Sequence, residues 1–183
     1  MRKATGFTLI ELTLVLIIMG LVGLAGTLGL MDAVNGYVRS ADTNNMATKA
    51  QITLARIAIE LTNINFGTNP LAPGNGITAS TATSITYDAN FGNKNAAQTC
   101  CVTTAGNVLT RNGANLTLNG MTLCDRVQDF QLRYYDNFNT AAQTTWGANS
   151  RIIEATITLT GATIKGDADP NQVFTARIVP KFR

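Results

Sequence analysis

Few side chains in this 183-residue chain are equipped for chemistry: three cysteines at 100, 101 and 124, two aspartates at 167 and 169, and Glu11 inside an apolar run. There is no histidine, which removes Ser-His-Asp and Cys-His nucleophilic pairs, HExxH zinc sites and every imidazole-ligated metal. A thiolate metal site would need a fourth ligand, and a reactive thiol needs a basic neighbour that the sequence does not place. Asp167, Asp169 and Asn171, within KGDADPNQ, have the alternate spacing that opens a calcium loop. Gln172 then stands where an EF-hand turn needs Gly, and Ile178 where it needs Glu. The expectation is a polar turn there, with no metal, no cofactor and no enzymatic activity. Glu11 is left as the residue whose position demands a reason.

Residues 7–30, FTLIELTLVLIIMGLVGLAGTLGL, hold Glu11 as their single ionisable group. A helix of that length spans roughly 36 Å, enough to cross a bilayer. The run is longer than the apolar core of a secretory signal peptide, about 7–15 residues, and such a peptide has no use for a carboxylate in its first turns. A charged side chain in a membrane segment costs about 2.5–3.5 kcal/mol at the centre and less near an end, so its presence implies a partner. The formal charge of +3 says little about partners: without Arg2 and Lys3 the balance is 12 basic to 11 acidic residues. Downstream there is no basic cluster with interleaved aromatics, and nucleic-acid binding has no sequence support.

The basic MRKATG followed by FTLIEL resembles the amino terminus of type IV prepilins and of the pseudopilins of type II secretion. The resemblance implies that a prepilin peptidase cuts after Gly6, that the new terminal Phe7 is N-methylated, and that Glu11, at the fifth mature position, serves assembly. The chemistry is coherent on its own terms. Cleavage there removes the basic leader and leaves the apolar run on the mature protein. The terminal amine is cationic near neutral pH and lies at i and i+4 from Glu11 if the helix starts at Phe7, so amine and carboxylate can neutralise each other within one subunit or between neighbours. The implied partners are other pilin or pseudopilin subunits, the peptidase and the inner membrane. The implied location is a single inner-membrane pass with a periplasmic or extracellular carboxyl-terminal domain, entering a filament or pseudopilus on assembly. Arg2 and Lys3 on the inner side agree with the positive-inside rule. Gly20, Gly23, Gly26 and Gly29 recur every third residue of the span, a pattern of membrane-helix composition or of close helix approach.

These residues must be positioned by the elements that follow. Val34, Val38 and Ala41, then Ala47, Ala50, Leu54, Ile57, Ala58 and Leu61, recur at helical steps and predict that residues 31–62 continue the span as an amphipathic helix. Residues 65–76, NFGTNPLAPGNG, form a loop that ends the rod. Alternating runs at 84–87, 108–110, 116–118, 127–135, 152–160 and 173–179 predict strands, with RNGAN as a hairpin signal. Val127, Phe130, Leu132, Tyr134, Ile153, Ala155, Ile157 and Leu159 are the expected core face. The fold class is α+β: a long amino-terminal helix whose second half packs on an antiparallel sheet, as in pilins. The expected organisation is a leader at 1–6, a membrane and assembly helix at 7–30, an amphipathic continuation at 31–62 and a β-rich head at 63–183.

The carboxyl-terminal third, LCDRVQDFQLRYYDN, then RIIEATITLTG and VFTARIVPKFR, is similar to minor pseudopilins of the J type and minor pilins of the W type. That resemblance implies a minor structural subunit; the alternative is a singly anchored extracytoplasmic binding or adhesive domain that does not polymerise. In an oxidising compartment, Cys124 is expected to bridge to Cys100 or Cys101, closing a loop of about 25 residues and stabilising the fold by roughly 3.5 kcal/mol.

Overall fold

The computed structural model describes residues 8–66, 76–90, 103–161 and 171–181. Helix α1 runs from Leu9–Thr62, 54 residues without a proline. Thr8 stands at its N-cap: its carbonyl accepts from the Glu11 and Leu12 amides at 3.1 and 3.2 Å. Asn63 closes the other end, its side-chain amide donating to the Ile59 carbonyl at 2.8 Å and its backbone amide to the Glu60 carbonyl at 3.2 Å. Within the apolar stretch, the Thr13 and Thr27 hydroxyls donate back to the Ile10 and Leu24 carbonyls, hiding polar groups that water does not reach in a membrane.

The chain divides into two compact units, residues 1–42 and 43–183. The described part of the first, 8–42, is helix throughout after Thr8, and none of its residues is buried. Its apolar side chains lie open, from Leu9 at 83% exposed through Ile17, Leu24 and Met31 to Val38. This corrects the expectation for Val34 and Val38, which are exposed although their spacing suits a packed face. Among the described residues of their own unit, none is buried to form a core for that face to meet.

The second unit carries the rest of α1 and eight strands: β1 (Ile77–Ser80), β2 (Ser84–Asn90), β3 (Thr103–Asn112), β4 (Asn115–Leu118), β5 (Met121–Cys124), β6 (Val127–Tyr135), β7 (Ile152–Thr160) and β8 (Asn171–Ile178). They form two antiparallel sheets, not one: β1-β2-β3-β4-β5 and β6-β7-β8. Met46, Ala50, Leu54, Ile57 and Leu61 recur at four- and three-residue steps along α1 and join the core. The sheets add Ile85, Tyr87, Leu109, Leu116, Phe130, Leu132, Tyr134, Ile153, Ile157 and Leu159, all nearly inaccessible. The eight side chains expected on the core face are all there. Val127 shares that face with even-numbered Phe130 because the β6–β7 register shifts between Val127 and Asp129, and the bulge resets the alternation. Trp146, from the β6–β7 connection, stacks on Phe66 at 5.8 Å and meets Tyr134 edge-on at 6.0 Å.

Two strands escaped the pattern reading, β1 and β5. Each has four residues. The β4–β5 hairpin nevertheless has a local signature: Asn119 and Gly120 both take positive φ, 53° and 79°, as a two-residue type I′ turn requires. Gly76 is constrained differently. Its φ is +79°, and a Cβ there would strike the Asn65 carbonyl where the chain enters β1, an approach that only glycine permits.

Candidate assembly site and the polar anchors of the head

Glu11 occupies the first turn of α1 and is exposed. The Thr8 hydroxyl accepts from its backbone amide at 3.4 Å. Thr8 and Glu11 therefore have the N-cap and N3 spacing of a capping box, a local signal in T-L-I-E that the sequence reading missed. The carboxylate also lies at the positive end of the helix dipole. α1 begins at Leu9, two residues after the expected start, because Thr8 serves as cap. Gly6 and Phe7 lie outside the described residues, and so does the geometry of an amine paired with Glu11. Around Glu11 lies a continuous apolar surface without a buried position. This is one helix long and apolar enough to cross a membrane.

Among the described residues, the head holds two buried carboxylates that sequence periodicity did not single out. Glu60, 4% exposed, projects from α1 toward the five-stranded sheet. Arg56, one turn earlier, reaches it at 2.6 Å, and the Tyr87 hydroxyl from β2 donates at 3.2 Å. Burial, followed by the adjacent carboxylate, pushes the Tyr87 hydroxyl far above its ordinary range, so it stays a donor. Glu154 on β7, 8% exposed, accepts from the Arg177 Nε at 2.6 Å and the Tyr135 hydroxyl at 3.0 Å. The Arg177 guanidinium also lies 5.3 Å over the Tyr135 ring. Both carboxylates are satisfied by a cation and a phenol. They tie a helix to a sheet and three strands to one another. A signal existed for the first, an acidic residue four after an arginine, but that spacing commonly marks a solvated helix face.

Cys124 ends β5 as a free, buried thiol. Cys100 and Cys101, its expected bridging partners, lie outside the described residues. Cys124 itself is one of the core residues. Its thiol donates to the Asp125 carbonyl at 3.4 Å. Burial pushes its pKa up, only partly opposed by the Thr53 hydroxyl, which makes it a poor nucleophile. Lys49 and Asp125 pair at 2.7 Å and, with Cys124, line a cleft of about 360 Å³. The lysine's hydrogen bond holds the Asp125 carboxyl below its usual range. Asp167 and Asp169 also lie outside the described residues, whereas Asn171 is the first residue of β8, opposite Thr160. Among the described residues, no three His, Cys, Asp or Glu side chains gather as a metal set.

No protein-family model matches the chain, and no curated protein matches it. The α+β fold, a long amino-terminal helix packed on antiparallel sheet, therefore rests on the structure itself.

Proposed function

We propose that this chain is a structural subunit of a type IV pilus or type II secretion pseudopilus, processed by a prepilin peptidase and assembled through its amino-terminal helix. The observation that carries the reading is the junction MRKATG–FTLIEL, a basic leader ending in Gly, then Phe7, with Glu11 as the one charge in an apolar run. Support comes from the wholly exposed surface of residues 9–31, which needs lipid or neighbouring helices. Leader removal frees a cationic amine beside Glu11. In a low-dielectric bundle, an unpaired charge costs several kcal/mol, so pairing selects subunits that are processed and in register. The subunit is held in the inner membrane with its head outside until it assembles. The J- and W-like carboxyl-terminal third supports a minor role, at the filament tip or in initiation.

Mass spectrometry of the mature amino terminus tests the class. The expected product starts at N-methylated Phe7; cleavage beyond Leu30 would mark a secretory signal and end the proposal. Glu11→Ala should be cleaved and inserted normally while losing co-purification with partner subunits at equal expression. Quantifying subunits in sheared filaments tests the minor role, which a stoichiometry near that of the dominant pilin contradicts.

A further inference from the structure

The four outer edges of the two sheets are treated differently. β1 and β5 are four residues long, and each joins its neighbour through a register shift. The β6 edge is covered: the Leu132 amide donates to the Ala82 carbonyl at 2.6 Å, and Tyr134 and Gln143 exchange both backbone bonds at 2.9 and 2.8 Å. Shortness, bulges and covering are the usual protections against strand pairing with another chain. Among the described residues, β8 shows none of them. It runs for eight residues, NQVFTARI, in unbroken register with β7, without proline or lysine, and no described residue bonds its outer edge.

The direction of its backbone groups follows from the β6 contacts. In an antiparallel ladder the N–H and C=O of one residue point to the same side, and the side alternates. Leu132 and Tyr134 point away from β7, so Arg133 points toward it and meets Glu154. Ile153 and Ala155 then point to β8, and their partners Ile178 and Ala176 point back. Asn171, Val173, Thr175 and Arg177 are left with N–H and C=O aimed outward. Their side chains are exposed, while Phe174 and Ala176 are only half-buried against the core, so an added strand would cover apolar surface as well.

We propose that this open edge pairs antiparallel with β8 of a second copy of the chain, about a two-fold axis through Thr175. In that register Thr175 faces its counterpart, Val173 faces Arg177 and Phe174 faces Ala176. The outward-aimed residues meet outward-aimed residues, as a bonded pair requires, and the large ring lies opposite the small side chain. Arg177 is the one ionisable residue of the strand and is already neutralised by Glu154 at 2.6 Å. The register keeps the two arginines apart, whereas centring on Arg177 would set like charges opposite each other. This pairing does not rest on the pilin reading.

The test is amide exchange at single-residue resolution on the full chain in detergent micelles, across a wide dilution. At high protein concentration the amides of Val173, Thr175 and Arg177 should slow by about tenfold or more, while those of Gln172, Phe174 and Ala176 stay protected throughout by the bond to β7. Thr175→Pro removes the central outward donor at an edge position where proline is tolerated, and should abolish the concentration-dependent protection at Val173 and Arg177. Equal exchange of the outward amides at all concentrations overturns the proposal, as does protection that persists in Thr175→Pro. Association through α1 alone gives the first of these results. If Thr175→Pro loosens β8 itself, seen as lost protection at Phe174 and Ala176, the dilution series on the unaltered chain decides.

Discussion

Residues 9–42 and 43–62 belong to one uninterrupted helix, yet they differ in everything except backbone geometry. The first stretch buries no side chain and carries glycines at 20, 23, 26, 29 and 36 with open space where a Cβ would stand. The second places Met46, Ala50, Leu54, Ile57 and Leu61 in a core and adds a buried carboxylate with two hydrogen-bonding partners. A helix is satisfied internally along its backbone, so secondary structure alone does not distinguish the two. Stability in water comes from the second stretch and its sheets, by removal of apolar area. The first stretch contributes no buried area within the chain and is built for an environment outside it.

That contrast can be broken most directly in the core. Phe130→Ala should cost about 3–5 kcal/mol in the unfolding of the head, since Phe130 is fully buried; Leu16→Ala, in the exposed stretch, should change it by less than about 0.5 kcal/mol. Urea titration followed by fluorescence of Trp146 measures both, and comparable losses would mean that the two stretches stabilise the head together.

A backbone counterpart is Gly76→Ala, where a Cβ meets the Asn65 carbonyl and φ is +79°. The expected loss is about 1–3 kcal/mol, against no loss for Gly26→Ala on the open helix, where alanine is the better helix former. Thermal unfolding in one detergent compares the pair.

Glu60→Ala sharpens the difference between the two glutamates of α1, one anchored and one open. It leaves the Tyr87 hydroxyl buried without an acceptor, and about 1–3 kcal/mol should be lost; Glu11→Ala should leave head unfolding unchanged while affecting partner recovery. If Tyr87→Phe restores most of the loss in the Glu60→Ala background, the cost lies in the orphaned phenol. A double-mutant cycle reads this.

The smallest effect belongs to the rim. Lys49 and Asp125 are about half exposed, and an exposed pair is worth at most about 1 kcal/mol. The Asp125 pKa is depressed in the folded state. Its contribution is present above the unfolded value and fades as pH falls through the folded one, so the gap between wild type and Asp125→Asn should close in acid. Cys124 runs the other way: its raised pKa stabilises the head below the unfolded thiol pKa of about 8.5, and that contribution falls as pH rises. Alkylation of Cys124 by iodoacetamide should accordingly be slower than that of an unhindered thiol at pH 8 until the head is unfolded.

The sequence by itself determined the membrane-length helix, its continuation to Leu61 and the strands β6 and β7, because those signals are local and repeated. The apolar run declares itself by length, and Ile153 to Leu159 by strict alternation. It also exposed Glu11 as an anomaly, since one carboxylate among apolar residues is visible without coordinates. Only the tertiary structure decided that Val34 and Val38 stay open while Ala50 and Leu54 are covered, because a stripe specifies a face and not what lies opposite. The division into two sheets, the partners of Glu60 and Glu154 and the open edge of β8 were equally hidden. Each depends on residues distant in the chain, Tyr87 from Glu60 and Arg177 from Glu154, and contact at that separation is set by packing and register, which no local pattern encodes.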